Sequence, residues 1–143
     1  MSPPRHQSLD SAVAAVLDLN PGMRQRRFAL LKCGQMSLNF AEHLWRSHID
    51  HTIVCLRRRH HGSVPGSCHE YWRSIPLKEW KHYVVRVEGW YYDFTARQFD
   101  KDADLPRILT LDELMQEWKV FSDVGDAKFI LESIAAEKPV RNW

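Results

Sequence analysis

The hydrophobic positions of this chain recur with a helical period near both ends and with a strand period in the middle. Segment 8–19 predicts the first helix. A second, buried helix is predicted to begin at about Cys33, because apolar side chains follow one helical face after it: Met36, Phe40, Leu44 and Trp45. Segments 110–118 and 126–137 predict two further helices, and segment 52–57, which is rich in β-branched residues, predicts a strand.

The middle of the chain predicts a β-hairpin whose two-residue loop is Glu88 and Gly89. One face of this hairpin is apolar and consists of Tyr83, Val85, Val87, Trp90, Tyr92 and Phe94. On the other face Asp93 lies opposite Val84, so that His82 is the diagonal neighbour of Asp93. The pattern therefore brings an imidazole and a carboxylate together on adjacent strands.

These elements predict an α+β fold in which a small antiparallel sheet packs on helices. The length of 143 residues is typical of one domain, which we assign to 1–143, with 1–7 as a flexible tail. Segment 58–77 contains several glycine, proline and histidine residues and predicts a long loop.

Composition and charge limit the partners that we expect. The formal net charge is only +2, so we expect neither nucleic acid nor a membrane as a partner. No apolar run reaches the length of a membrane span, and the first residues lack the apolar core of a signal peptide. The three cysteines are an odd number at irregular spacing, which indicates free thiols in a reducing compartment. We therefore expect a cytoplasmic protein.

Cys33 is the main candidate for covalent chemistry because it stands at the predicted start of a helix and is followed by Gly34. Unpaired N–H groups at a helix N-terminus favour the thiolate form of a cysteine and can hold a developing oxyanion. The alternative is that Cys33 is a small buried hydrophobic side chain, as most lone cysteines are. That description suits Cys55 better, since Cys55 lies in the predicted strand, whereas Cys68 lies in the loop.

The order of these residues resembles the papain-like and transglutaminase-like cysteine enzymes. A Cys-Gly pair at a helix start is followed about fifty positions later by a histidine that opens one strand and an aspartate in the next. The stretch from His82 to Phe99, which ends in Asp-Phe-Thr-Ala-Arg-Gln-Phe, is similar to bacterial and phage papain-fold toxin or effector domains. The likeness covers 28–99, and it implies a papain-like fold with a catalytic triad of Cys33, His82 and Asp93.

The resemblance also implies a mechanism. His82 takes the proton of Cys33, Asp93 orients the imidazole, and the backbone N–H of Cys33 helps to hold the oxyanion. The implied substrate is a glutamine side chain or peptide bond in a protein of a host or target cell, and no metal or organic cofactor is required. Glutamine deamidases, peptidases and transglutaminases share this triad, so all three reactions stay open. The chain departs from the papain pattern because neither Gln25 nor Gln35 matches the glutamine that precedes the papain cysteine.

Three further side chains are assigned to the substrate groove: Trp72, Trp80 and Gln98. The two tryptophans flank the predicted hairpin and loop, and Gln98 belongs to the stretch that carries the resemblance. For Gln98, a structural role in the turn after Thr95 is the alternative.

Two other functions are open. The loop residues His60, His61, Cys68 and His69 could supply zinc ligands, although their spacing matches no standard zinc finger. A papain-like protein can also act without catalysis, by binding and modulating a host protein. The basic segments 23–27 and 57–61 are predicted to be solvated surfaces. The alternative for 23–27 is contact with an acidic partner, and the alternative for 57–61 is contact with nucleic acid or an acidic protein.

Overall fold

The computed structural model describes residues 2–3, 6–59 and 64–143. Within these ranges the chain forms six α-helices: α1 (Gln7–Leu19), α2 (Arg26–Ala29), α3 (Cys33–Arg46), α4 (Glu70–Arg73), α5 (Leu111–Leu114) and α6 (Ala127–Ala135). The same ranges contain five strands: β1 (Thr52–Arg58), β2 (Lys81–Val87), β3 (Trp90–Asp93), β4 (Arg107–Thr110) and β5 (Trp118–Gly125). Short 3-10 turns lie at Pro21–Arg24, Leu77–Glu79 and Ala96–Gln98.

The strands form one sheet in the order β4-β3-β2-β1-β5, and every neighbouring pair is antiparallel. This confirms the predicted α+β class with a small antiparallel sheet. The predicted hairpin is also confirmed, because Val87 pairs with Trp90 and Val85 pairs with Tyr92. Glu88 and Gly89 both have positive φ values, 51° and 80°, as a type I′ turn requires.

The sheet separates two layers of buried side chains. The first, which we call the helical core, lies between the sheet and helices α1, α3 and α6, and includes Phe40, Tyr83 and Tyr92. The second, which we call the aromatic core, covers the other face of the sheet and is built around four rings whose contacting centroids lie 5.0–5.6 Å apart: Trp72, Trp80, Phe99 and Trp118. Because both faces are covered, the side chains from His82 to Val85 are buried on both sides of β2.

Helix α3 is anchored in the helical core by residues one turn apart. Met36, Phe40 and Leu44 are all fully buried or nearly so, and the ring of Phe40 lies 4.9 Å from that of Phe94 and 5.3 Å from that of Tyr92. Burial of each such side chain stabilises the fold by about 2 kcal/mol. This packing fixes the position of α3 on the sheet, and with it the position of Cys33 at the first residue of the helix.

Several sequence predictions were wrong or incomplete. The helix predicted over 110–118 is a single turn, α5, although its Thr110–Glu113 capping box is present. Trp118 begins strand β5 instead, and both β4 and β5 were missed. Segment 58–77 contains α4, and Gln7, which we assigned to the tail, is the first residue of α1. No helix in the described ranges is long and apolar enough to cross a membrane.

Candidate functional site

His82 and Asp93 meet at the end of the hairpin that is farther from its turn. His82 is the second residue of β2 and Asp93 is the last residue of β3. Nε2 of His82 lies 2.7 Å from Oδ2 of Asp93, which is the length of a charge-assisted hydrogen bond. The predicted register therefore places the two side chains together on one face. They do not form a surface pair, because His82 is completely buried and the Asp93 side chain is only 12% exposed.

The second oxygen of Asp93 is also held. The backbone N–H of Thr95 donates to Oδ1 of Asp93 at 2.9 Å, and the Thr95 hydroxyl lies 3.4 Å from the same oxygen. With Oδ1 held by Thr95 and Oδ2 by His82, the carboxylate has one preferred orientation. Its position does not depend on a substrate.

His82 Nδ1 is the nitrogen that remains for Cys33. The imidazole packs against the rings of Phe99 and Trp118, at centroid distances of 4.9 and 5.2 Å, and Nδ1 is buried with no well-formed hydrogen bond to any described residue. Cys33 is among the groups that raise the pKa of His82, so its thiol lies near the imidazole. With Nε2 bonded to Asp93, Nδ1 is the ring nitrogen that is left for a contact with the thiol.

The charge state of His82 follows from these contacts. Burial is the largest influence and lowers the pKa of His82, but the charge of Asp93 and its hydrogen bond raise it, and Cys33 acts in the same direction. Together they raise the pKa of His82 from 6.5 to about 10. His82 therefore carries a proton at neutral pH, which leaves the buried pair as an imidazolium and a carboxylate.

We expect the free energy of unfolding to fall as the pH rises from about 7 to 10. A group whose pKa is raised by folding contributes stability that is complete below its ordinary pKa of 6.5 and is lost as the pH passes through about 10. Urea unfolding at several pH values should show a loss on the order of 2 kcal/mol relative to Asp93→Asn, in which the carboxylate is absent. Parallel pH profiles for the two proteins would contradict this assignment.

Cys33 is placed by the start of α3. Lys32, the residue that caps the helix, makes no side-chain capping hydrogen bond within the described chain, and the first N–H groups of a helix have no acceptor inside it. The N–H of Cys33 is therefore available to an external acceptor. Cys33 is partly exposed, whereas Cys55 and Cys68 are buried.

Gln98 does not line a groove, and our assignment of it to the substrate site was wrong. Its side chain is fully buried and bridges the two halves of the site. Oε1 accepts hydrogen bonds from the Leu31 backbone N–H at 3.3 Å and from Trp72 Nε1 at 3.0 Å, while Nε2 donates to the Thr95 hydroxyl at 3.1 Å. Leu31 has a φ of 60°, a left-handed conformation that costs a non-glycine residue about 1 kcal/mol. Gln98 thus ties the segment before Cys33 to the turn that holds Asp93.

We expect Gln98→Met to lower the free energy of unfolding by about 2–4 kcal/mol, because it leaves the buried Trp72 N–H without an acceptor and frees both Leu31 and Thr95. Urea unfolding measures this loss. Gln116→Met is the matched control, since Gln116 is exposed on the surface, and it should change stability by less than about 0.5 kcal/mol. Equal effects of the two substitutions would show that the bridge contributes nothing.

Trp72 and Trp80 are also interior residues, so their assignment to the groove was wrong as well. They are 4% and 0% exposed, and their rings lie 5.2 Å apart in the aromatic core. Each buried indole N–H has an acceptor, since Trp72 donates to Gln98 and Trp80 donates to the carbonyl of Ile75. Their function is to bury the face of the sheet that carries His82.

The four loop residues that we considered as zinc ligands differ in their surroundings. His60 and His61 lie outside the described residues. Cys68 is buried, and Nδ1 of His69 accepts the N–H of Tyr71 at the start of α4. Among the described residues no three His, Cys, Asp or Glu side chains are grouped so that they could hold a metal ion.

Residues 140–143 lie next to the N-terminal end of α3, and this contact could not be predicted from the sequence. The ring of Trp143 lies 5.0 Å from that of Tyr83, and the Tyr83 hydroxyl donates to the Asn142 carbonyl at 2.7 Å. Trp143 Cη2 also stands 3.6 Å from the position that a Cβ would take on Gly34. Trp143 therefore lies beside Gly34, the residue that follows Cys33. Residues 138–143 show no periodic pattern from which this contact could be predicted.

Two large cavities are open at the surface. One, of about 550 Å³, lies beside the Glu88–Gly89 turn and is lined by residues such as His51 and Arg86. It stands at the opposite end of the hairpin from His82 and Asp93. The other, of about 920 Å³, lies between α2 and α4.

Comparisons with known proteins add no family to this picture. No protein-family model matches the chain, and neither the curated proteins nor the solved structures that were searched contain a match.

Proposed function

We propose that this protein is a papain-like cysteine enzyme that acts on amide groups of a protein substrate. Cys33 is the nucleophile, His82 is the general acid and base, and Asp93 orients the imidazole and stabilises its charge. The observation that carries the proposal is the bond of 2.7 Å between His82 and Asp93, together with the partly exposed Cys33 at the first residue of α3, which is near enough to raise the pKa of His82.

The raised pKa of His82 defines the reacting form. The imidazole holds a proton at neutral pH, and the attacking group in this proposal is the thiolate of Cys33, since the thiolate is the nucleophilic form of a cysteine. The sulfur forms a bond to the amide carbon, and the carbonyl oxygen takes the negative charge. The free N–H of Cys33 at the start of α3 is positioned to stabilise that oxyanion.

The remaining steps use the same two side chains, Cys33 and His82. The C–N bond breaks, His82 gives its proton to the leaving nitrogen, and a thioester on Cys33 results. A water molecule then adds to the thioester carbon while His82 accepts its proton, and the C–S bond breaks. Attack on a glutamine side chain by this route gives glutamate and ammonia, whereas attack on a peptide bond gives two fragments. An amine in place of water gives a cross-link or transfer product.

Intact-mass analysis distinguishes these reactions. An unfolded protein such as casein is incubated with the enzyme, with and without an added primary amine, and its mass is compared before and after. A small gain per glutamine indicates deamidation, fragments indicate proteolysis, and a mass increase that depends on the amine indicates acyl transfer. Extracts of a candidate host or target cell extend the same assay to natural substrates.

Alkylation of the thiols is a weaker test of this proposal. Cys33 is the partly exposed thiol, and Cys55 and Cys68 are buried, so Cys33 would react first through exposure alone. Only a product formed from an amide substrate, and lost in Cys33→Ala, supports catalysis. Absence of every product in both casein and cell extracts would favour a protein that binds its partner without catalysis.

A further inference from the structure

A basic concave surface lies between α2 and α4 and takes no part in the mechanism above. It has a volume of about 920 Å³, and we call it the basic pocket. Four of its lining side chains are cationic and one is a carboxylate: Arg26, Arg27, Arg73, Lys101 and Glu70. Cationic side chains that are close together in a concave site repel one another, and together they attract an anionic ligand.

The walls of the basic pocket are attached to the segment that follows Asp93. Helix α2 packs on the turn Ala96–Gln98, and the backbone N–H of His69 donates to the Gln98 carbonyl at 2.8 Å. The Arg97 guanidinium donates to the carbonyls of Arg24 and Ala103, both at 2.9 Å. The pocket is therefore built on the same segment that connects Asp93 to the loop before Cys33.

The basic pocket is also within reach of the nucleophile. Arg27 precedes Cys33 by six residues, which places the two at most about 20 Å apart, since an extended chain spans about 3.4 Å per residue. An extended substrate segment of about six residues covers the same distance. A protein bound in the pocket can therefore present a neighbouring residue to Cys33.

The cations of the pocket are available to a ligand. Arg27 and Lys101 are exposed and form no ion pair with any described residue. Nε of Arg26 is buried and has no hydrogen-bond partner in the described chain. Arg73 is the exception, because its guanidinium donates to the Gly66 carbonyl and holds the rim.

We propose that the basic pocket binds an acidic segment of the protein that Cys33 attacks. Guanidinium groups match the two oxygens of a carboxylate in geometry as well as in charge. Single-stranded nucleic acid is the less suitable ligand, because the described lining residues include no Phe, Tyr or Trp and such ligands require stacking platforms. The claim that the bound protein is a substrate rests on the proposed function. The claim that the pocket binds acidic polypeptide is independent of it.

The test measures binding without catalysis. Fluorescein-labelled decaglutamate is titrated with Cys33→Ala protein, alone and combined with Arg27→Glu/Lys101→Glu. The matched control combines Cys33→Ala with Lys119→Glu/Lys128→Glu, which makes the same charge change on exposed residues of β5 and α6. We expect the pocket variant to weaken binding at least about tenfold and the control to change it by less than about twofold.

The other outcomes overturn the proposal. If both double variants weaken binding equally, decaglutamate is attracted by the net charge of the protein alone. If decaglutamate does not bind at all, an acidic segment is not the ligand of the pocket. Tighter binding of an oligothymidine of similar length, lost in the pocket variant, would assign the pocket to nucleic acid. If the double variant does not fold, Arg27→Gln and Lys101→Gln replace it, and each must weaken binding about twofold or more. Binding that persists while no amide product forms would contradict the proposed function and leave the pocket assignment intact.

Discussion

Replacement of Cys33 by alanine should abolish product formation in the intact-mass assay while the protein remains folded. Removal of the nucleophile from a serine triad lowers turnover by about six orders of magnitude, and we expect a loss to the assay background here. The fold should tolerate the change, because Cys33 is only partly buried and alanine keeps its Cβ. We expect less than about 1 kcal/mol of lost stability.

Cys55→Ala is the matched control for this prediction, because it removes the same sulfur from a different position. Cys55 is fully buried in β1, opposite Tyr83, so its loss should cost more stability, about 1–2 kcal/mol, and leave turnover unchanged. Unfolding in urea measures the first effect and the mass assay the second. Full activity in Cys33→Ala would mean that the nucleophile has been wrongly assigned.

The hairpin could be predicted from the sequence because its determinants are local. A glycine in the second turn position and alternating apolar residues define both the turn and the register. Because Val85 pairs with Tyr92, the register places His82 and Asp93 close together on the opposite face. The burial of His82 did not follow, since the aromatic core that covers it is assembled from Trp72, Phe99 and Trp118, far apart in the chain.

Strands β4 and β5 were missed because neither carries a period-two pattern. The four residues of β4 are all half-buried, and β4 runs directly into the capping box of α5. Strand β5 lies at the edge of the sheet, with consecutive exposed residues after Trp118, and its pairing with β1 contains register shifts. Leu111, Leu114 and Trp118 happen to have helical spacing, and that coincidence produced the longer helix that we predicted.

The function of Gln98 could not be predicted from its neighbours in sequence. Its partner Leu31 is 67 residues away, and the left-handed backbone of Leu31 is invisible in the sequence because leucine rarely adopts it. The turn contact with Thr95 was the alternative that the sequence did suggest, and it is present. The connection to Cys33 makes Gln98 a positioning residue that substrate is not expected to touch.

Replacement of Asp93 by asparagine should lower turnover by about three to four orders of magnitude, by analogy with serine triads. The structure supplies the reason. Oδ1 of Asp93 accepts the Thr95 N–H at 2.9 Å, so an asparagine keeps its carbonyl oxygen there and turns its amide NH₂ toward His82. His82 Nε2 must then accept a hydrogen bond, which moves the ring proton to Nδ1. A neutral imidazole with its proton on Nδ1 carries no positive charge beside Cys33 and cannot accept the proton of the attacking water at that nitrogen.

The same substitution removes the charge that raises the pKa of His82, so the burial of the ring favours its neutral form. Turnover of casein by the variant, measured from pH 6 to 10, should therefore stay low across the range. Asp123→Asn is the matched control, because it makes the same chemical change on an exposed carboxylate that pairs with Arg86, and it should leave turnover unchanged. A loss of less than about tenfold in Asp93→Asn would mean that the carboxylate only supports the fold. Cys33 and His82 would then have to act without a third residue.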